Sequence, residues 1–257
     1  MKLFDTHAHL GFDELLSNID SVLRRSVQAG VTGCLTIGTN LEQSKKAVDL
    51  ASTYEGIYAT VGIHPHYAQD AKPEDLVKLK ELTKGKKVVA IGETGLDFHY
   101  NFSKQEAQRN LFRNELHIAG QLGLPVIIHS RNAFEQTVEI LDEFGHLKGV
   151  VFHCFTGSAE QAEILLDKGF FISFTGVVTF KNVNDIRRAA RLVPLERMML
   201  ETDCPYMSPE PVRKQKINEP AMLIHIARFL AELKEMPLET LAGQTTATAA
   251  RFFGLEF

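Results

Sequence analysis

The chain has 257 residues, a net charge of −4, 44% hydrophobic residues and 23% charged residues. This length suits one barrel-sized domain whose core needs no disulfide or metal staples, and the negative charge excludes a broad basic footprint for nucleic acid. Cys34, Cys154 and Cys204 are odd in number and lack Cys-x-x-Cys spacing, so they read as reduced, intracellular thiols rather than a disulfide framework.

Short apolar runs at 2–5, 31–37, 57–63, 88–91, 125–128, 149–152, 170–174 and 198–200 recur along the chain, rich in Val, Ile and Phe. Unbroken apolar character over four to six residues is what a strand covered on both faces shows. Helical patterns separate the runs. Leu15, Leu16, Ile19, Val22 and Leu23 recur every three or four residues before Gly30. Ser103 and Glu106 have capping-box spacing ahead of the stripe Leu111, Phe112, Leu116, Ala119 and Leu122, which stops near Gly123. Segment 133–144 suits a crossover helix, Ser158 and Gln161 open another with capping-box spacing, and 182–192 suits a third. Segments 219–233 and 238–253 read as closing helices. Eight βα units in a row predict an α/β fold, a (β/α)8 TIM barrel, as a single domain over 1–257. An open doubly wound sheet lacks support, because no Gly-x-Gly-x-x-Gly follows the first strand and no P-loop occurs. The N-terminal Met-Lys-Leu-Phe-Asp-Thr-His has no signal-peptide character, and no apolar run approaches the ~18 residues a membrane span requires. The expected location is cytoplasmic, with no membrane association and no obligate protein partner.

The chemistry gathers where the strands end. His7 and His9 close the first run, His64 the third, His129 the fifth and His153 the sixth, while Glu93 follows the fourth and Asp203 the eighth. In a (β/α)8 barrel these ends share the face that carries active sites. His7 and His9 are two apart, so in extended chain they point the same way and can grip one ion. Imidazole with carboxylate suits Zn, Mn, Co or Ni better than calcium. Six candidate ligands, His7, His9, Glu93, His129, His153 and Asp203, exceed one tetrahedral site, and Glu93 is the candidate bridge between two divalent ions. A lone strand-end histidine is more often a packing residue than a ligand. Several acids on one rim without a cation would repel one another, however, so the set favours metal.

Around this set, His64 reads as a functional rim group, and Glu201, two before Asp203, either orients a ligand or takes a structural hydrogen bond. His66, His99, His117, His146 and His225 read as surface or packing residues, and the cysteines as small buried hydrophobes, with Cys154 and Cys204 turned toward the helix layer. Arg131, Lys181, Arg213, Lys214 and Lys216, with the helix start at Thr156–Ser158, make a phosphate-bearing substrate plausible.

Phe-Asp-Thr-His-Ala-His, Gly-Ile-His-Pro, Ile-Gly-Glu-Thr-Gly-Leu-Asp, His-Cys-Phe-Thr-Gly-Ser and Glu-Thr-Asp-Cys-Pro-Tyr, in this order, resemble the TatD family of metal-dependent deoxyribonucleases within the amidohydrolase-like barrels. The likeness runs from His7 to the Asn218-Glu-Pro220 segment, and Cys204 stands where the family commonly has serine. The resemblance implies that His7, His9, Glu93 and Asp203 hold one ion and that Glu93, His129 and His153 hold the other. It also implies that Asp203 orients or deprotonates the attacking water. The expected catalytic residues are therefore Asp203, Glu201 and His64, the cofactors two divalent ions (Zn, Mn, Mg, Co or Ni), and the partner DNA or another phosphodiester. Two other readings use the same residues: hydrolysis of an amide or acyl ester, including a tRNA-linked one, and a metal-stabilised binding protein without catalysis. Glutamate after the fourth strand, where related barrels bridge metals with a modified lysine, argues against dihydroorotase- or urease-like chemistry.

Overall fold

A computed structural model of the chain describes residues 2–255; Met1, Glu256 and Phe257, at the ends of the expected 1–257 domain, lie outside the described residues. In chain order the elements are β1 (Leu3–Ala8), α1 (Asp13–Leu16), α2 (Ile19–Gln28), β2 (Val31–Thr36), α3 (Leu41–Thr53), β3 (Ile57–Val61), α4 (Pro73–Leu82), β4 (Val88–Asp97), α5 (Gln105–Leu122), β5 (Val126–Arg131), α6 (Phe134–Asp142), β6 (Val150–Phe152), α7 (Ala159–Asp167), β7 (Phe171–Phe174), α8 (Asn184–Leu192), β8 (Met198–Leu200), α9 (Leu223–Leu233) and α10 (Leu238–Phe253), with single 3-10 turns between some of them. The strands follow sequence order in one eight-stranded sheet, which is the predicted (β/α)8 alternation.

The chain packs as two compact units, one formed by residues up to Thr36 together with those from Cys154 onward, the other by Ile37–His153. In the first unit β1 pairs in parallel with β2, setting Asp5 opposite Cys34, and β7 pairs in parallel with β8, setting Ser173 opposite Met199. A bridge joins Ala8 to Cys204, and α10 packs on β1 and β8 through a face that includes Leu241, Ala249 and Phe253. In the second unit β3, β4, β5 and β6 form a parallel ladder, with Ala59 opposite Val88, Ile91 opposite Val126 and Ile128 opposite Phe152. Here α5 lies on β4 and buries Leu111, Phe112, Leu116 and Ala119 of the predicted stripe, while its last member, Leu122, is exposed. Phe112 and Leu116 are fully buried, worth about 1.5–3 kcal/mol each. The helix ends at Gly123 in the left-handed conformation, φ 62°.

Three local expectations are corrected. The first helical pattern is two helices, because Ser17 and Asn18 interrupt it, and such side chains compete with the helical backbone. Ser103 does not cap α5, which begins two residues later with Lys104 at its N-cap. The Ser103 hydroxyl instead accepts from the Gln69 N–H (3.0 Å) and donates to the His66 carbonyl (2.8 Å). The fourth strand runs to Asp97 rather than stopping near Ile91, carrying the Glu-Thr-Gly-Leu-Asp segment as strand. The Ser158–Gln161 capping box of α7 forms as the spacing predicts, so its side chains already satisfy the helix start that was a candidate anion site.

Candidate metal centre

The first unit gathers three donors at the ends of β1 and β8. His9 Nε2 lies 3.2 Å and His7 Nε2 3.7 Å from Asp203 Oδ1, and all three residues are buried. Asp203 holds φ 53°, a left-handed conformation that costs a non-glycine residue about 1–2 kcal/mol. The surrounding chain fixes it. The Asp203 N–H donates to the His7 carbonyl (2.8 Å), and the buried Asn218 amide donates to the carbonyls of Thr202 (2.9 Å) and Tyr206 (2.6 Å), on either side of Asp203. Beneath the donors, buried Asp5 accepts from the Thr202 N–H (2.9 Å), the Thr202 hydroxyl (2.6 Å) and the His7 N–H (3.3 Å). Burial pushes the Asp5 carboxyl up to about 7 against these hydrogen bonds.

Glu201 is buried and accepts from the Cys154 N–H (2.6 Å), the Ser173 hydroxyl (2.6 Å) and the Thr6 hydroxyl (3.4 Å). Through these bonds Glu201 braces the backbone directly after His153. Cys34 and Cys204 are buried as expected, and burial together with nearby Asp5 raises both thiols. Cys154 departs from the expected helix-layer placement: it is only part-buried at φ 45°, with Sγ 3.5 Å from Thr175 Oγ1.

The second unit gathers a larger cluster at the ends of β3 to β6. Glu93 Oε1 lies 2.8 Å from His129 Nδ1, 2.8 Å from His153 Nε2 and 3.4 Å from His64 Nε2, and His153 Nε2 is 3.4 Å from His129 Nδ1. Burial would raise the Glu93 carboxyl, but the surrounding imidazoles hold it well below the usual range. Its proximity to His129 depends on two glycines. Gly92 and Gly95 sit at φ 148° and 138°. A Cβ on Gly92 would come within 2.8 Å of Ile127 Cβ, and one on Gly95 would collide with the His129 carbonyl oxygen. Only glycine lets β4 approach β5 this closely.

His64 differs from its neighbours. Its Nδ1 accepts from the His66 N–H (3.1 Å), so the neutral ring carries its proton on Nε2 and presents a donor, not a lone pair, toward Glu93. Burial lowers His64 to about 4, which keeps the ring neutral near pH 7. The ring thus stands as a neutral hydrogen-bond donor beside Glu93, and His64, Glu93 and His129 also form one of the groups spaced to hold an ion.

Two residues here were not assigned from sequence. Asp97, fully buried, places Oδ2 3.1 Å from His129 Nε2 and 2.9 Å from His66 Nε2, and its Oδ1 accepts from the N–H groups of His99 (2.9 Å) and Tyr100 (3.0 Å). Burial would raise it; the His129, Tyr100 and His66 hydrogen bonds win and hold it well below the carboxylate range. His66, expected as a surface or packing residue, instead touches the cluster, with its ring 4.2 Å from that of His64. Asp97 stood at the end of the Glu-Thr-Gly-Leu-Asp motif, and period-two alternation from Glu93 was the signal that pointed it to the same side. Of the other histidines, His99, His117 and His146 are exposed and His225 is intermediate, as expected.

Both clusters fit a divalent transition-metal ion in donor type and spacing. Donors held near 2.1 Å from an ion sit roughly 3.0–3.5 Å apart, close to the separations within {His7, His9, Asp203} and {Glu93, His129, His153}. Asp97 beside His129 supplies the carboxylate that commonly orients a ligating imidazole through its other nitrogen. Among the described residues no helix is long and apolar enough to cross a membrane.

The model of the TatD-related DNase family matches residues 4–254. A Bacillus subtilis protein named "Uncharacterized metal-dependent hydrolase YabD" is 41% identical, the alignment covering 98% of each chain. An Erwinia tasmaniensis protein named "3'-5' ssDNA/RNA exonuclease TatD" is 37% identical over 98% of this chain and 100% of its own. Among solved structures, YJJV, a TatD homolog from Escherichia coli, superposes with a TM-score of 0.93 at 29% identity, covering 99% of this chain and 98% of that one. With the family model matched almost from end to end, relatives above 30% identity along its whole length, and the fold of a solved homolog, this chain belongs to the TatD family of hydrolases and has its (β/α)8 barrel fold.

Proposed function

We propose that the chain is a single-domain nuclease that hydrolyses phosphodiester bonds of DNA with two divalent ions. One ion would be held by His7, His9 and Asp203, the other by Glu93, His129 and His153. The observation that carries this reading is the pair of imidazole–carboxylate trios, buried except for part-buried His129, each spaced for one ion. The name of the Erwinia relative, an exonuclease on single-stranded DNA and RNA, supports the substrate class.

Bound divalent ions supply Lewis-acid polarisation of a phosphoryl oxygen and make water easier to deprotonate. The protein's own groups do the rest. Asp203 accepts the proton of the attacking water. Neutral His64, with its proton on Nε2, donates toward a phosphoryl oxygen without adding a cation that would compete with metal. Asp97 keeps the His129 ring oriented with Nδ1 toward Glu93. Asp5 holds the backbone on which His7 and Asp203 stand, and Glu201 holds the backbone directly after His153.

The test is nucleotide release from single-stranded DNA by purified protein loaded with Mg2+, Mn2+ or Zn2+. Turnover should require metal and fall at least about 10³-fold in Asp203→Ala. Equal inertness of both proteins on DNA, with release of product from an acyl or amide substrate by the wild type, would overturn the proposal.

A further inference from the structure

The segment after β4 carries two large rings that the core does not use. Tyr100 is 48% and Phe102 66% exposed, and their rings are parallel to within 1° at 5.4 Å between centroids. His66 sets its edge against both, 5.6 Å from Tyr100 and 4.8 Å from Phe102. The Arg131 guanidinium lies 4.6 Å over the Tyr100 ring, and among the described residues no carboxylate pairs with it. The backbone beneath these exposed rings is tied down by buried polar groups. Asp97 Oδ1 receives two N–H groups, and buried Gln108 accepts from the Asp97 N–H (2.8 Å) and donates to the carbonyls of Asp97 and Ser103 (2.9 Å each). Ser103 ties the segment to His66 and Gln69. Apolar area held rigidly in water, rather than tucked away, marks a surface built to be covered.

From this arrangement we infer that Tyr100 and Phe102 form a stacking platform for an unpaired nucleobase of a single-stranded substrate, with Arg131 facing its phosphate. The inference rests on the nuclease reading and adds the subsite that selects single strands. Its position supports it: His66 touches the platform on one side and on the other shares Asp97 with His129, whose Nδ1 is 2.8 Å from Glu93. Its chemistry supports it as well. Every base has a π face, so two parallel rings bind bases regardless of sequence, and a guanidinium stacks on an aromatic ring while its N–H groups remain free for phosphate. A base already stacked in a duplex cannot use such a platform, which gives strand preference without reading any base edge. The net charge of −4 is compatible, because stacking needs no extended basic groove.

The chain contains no tryptophan, so Phe102→Trp installs a sole indole reporter on the platform. Full-length Phe102→Trp protein is titrated in excess chelator with three probes: single-stranded oligothymidylate, an abasic strand of equal length, and the oligothymidylate annealed to its complement. Single-stranded oligothymidylate should quench the indole, while the abasic strand and the duplex should not. In a second measurement, Tyr100→Leu/Phe102→Leu, checked for an unchanged melting temperature, should bind labelled oligothymidylate about 10- to 100-fold more weakly than wild type. Equal quenching by the abasic strand or the duplex overturns the platform, and so does undiminished binding by the double leucine variant. Because chelator removes turnover, binding and hydrolysis are read separately. Base-dependent quenching by a protein that never cleaves DNA would sink the nuclease reading alone; cleavage without base-dependent quenching would sink the platform alone.

Discussion

Replacing Glu115 by Gln should make the protein more stable at alkaline pH and leave it nearly unchanged at pH 5. Glu115 sits on α5 with no exposed surface; its carboxyl accepts from the Ile63 N–H (2.7 Å) and the Thr94 hydroxyl (2.6 Å). Burial dominates these bonds and pushes the carboxyl up to about 8, from an ordinary value of 4.5. Between those values the folded protein keeps a proton that the unfolded chain releases, so stability is fully present below pH 4.5 and is lost as pH rises through about 8. At 1.36 kcal/mol per pH unit the interval is worth on the order of 5 kcal/mol, and even half of that moves the melting temperature by about 5–10 °C in a chain this size. Glutamine copies the protonated acid: its oxygen accepts from Ile63, its amide donates to the Thr94 oxygen, and it never ionises. The assay is thermal unfolding of wild type and Glu115→Gln from pH 5 to 9. Groups common to both proteins cancel in the difference, which should grow with pH. A difference that stays constant across the range would refute the argument. Glu115→Leu, which abandons both donors, should lose about 2–4 kcal/mol at pH 5, where the acid is neutral.

Asp97→Asn should keep the fold but loosen metal by about 10- to 100-fold, measured as metal content after dialysis, because an amide has one acceptor oxygen and cannot serve both the His129 and His66 rings and the His99 and Tyr100 N–H groups; Asp97→Glu should restore part of the loss, and full retention of metal in Asp97→Asn would count against the role. Gly95→Ala should cost at least about 3 kcal/mol in denaturant unfolding, since its Cβ meets the His129 carbonyl and its φ of 138° is closed to alanine. Adding Zn2+ or Mn2+ to chelator-stripped protein should raise the melting temperature, as expected when a ligand binds only the folded chain, by about 2.7 kcal/mol of stability at one hundred times Kd; in Glu93→Gln most of that rise should vanish.

The strand count, the fold class and the gathering of histidines and acids at strand ends were legible because they obey short-range rules. Continuous Val-Ile-Phe runs announce strands covered on both faces, and a histidine or acid directly after such a run falls at its end whatever the rest of the chain does. His7 with His9, and Glu93 with His129 and His153, therefore stood out before any coordinates. What failed was governed by partners distant in sequence. Ser103 had the spacing of a cap, yet its hydroxyl serves His66 and Gln69, more than thirty residues away. His66 looked like a loop histidine because its value comes from Asp97, thirty-one residues on. Glu115 lay inside an amphipathic helix where a glutamate is unremarkable, and only tertiary packing turns it inward against β3 and β4.

Asp5, Glu115 and Glu201 are three buried carboxylates with one shared habit: each accepts a backbone N–H at or beside a residue of the proposed site. Asp5 takes those of His7 and Thr202, Glu115 that of Ile63, just before His64, and Glu201 that of Cys154, just after His153. A ligand set must be held to within about half an ångström, yet strand ends are where ladder hydrogen bonds run out. A buried acid fills that gap better than a hydroxyl, since it accepts several donors at once in a setting where leaving any unmade costs about 1–3 kcal/mol. The energetic expense of burying these acids, visible as raised values at Asp5 and Glu115, is thus the counterpart of rigidity around the donors. The same physics explains why the braces escape a reading of the sequence. A ligand must sit at a strand end, whereas a brace can come from any element whose side chain reaches one, as the placement of Glu115 on a helix shows.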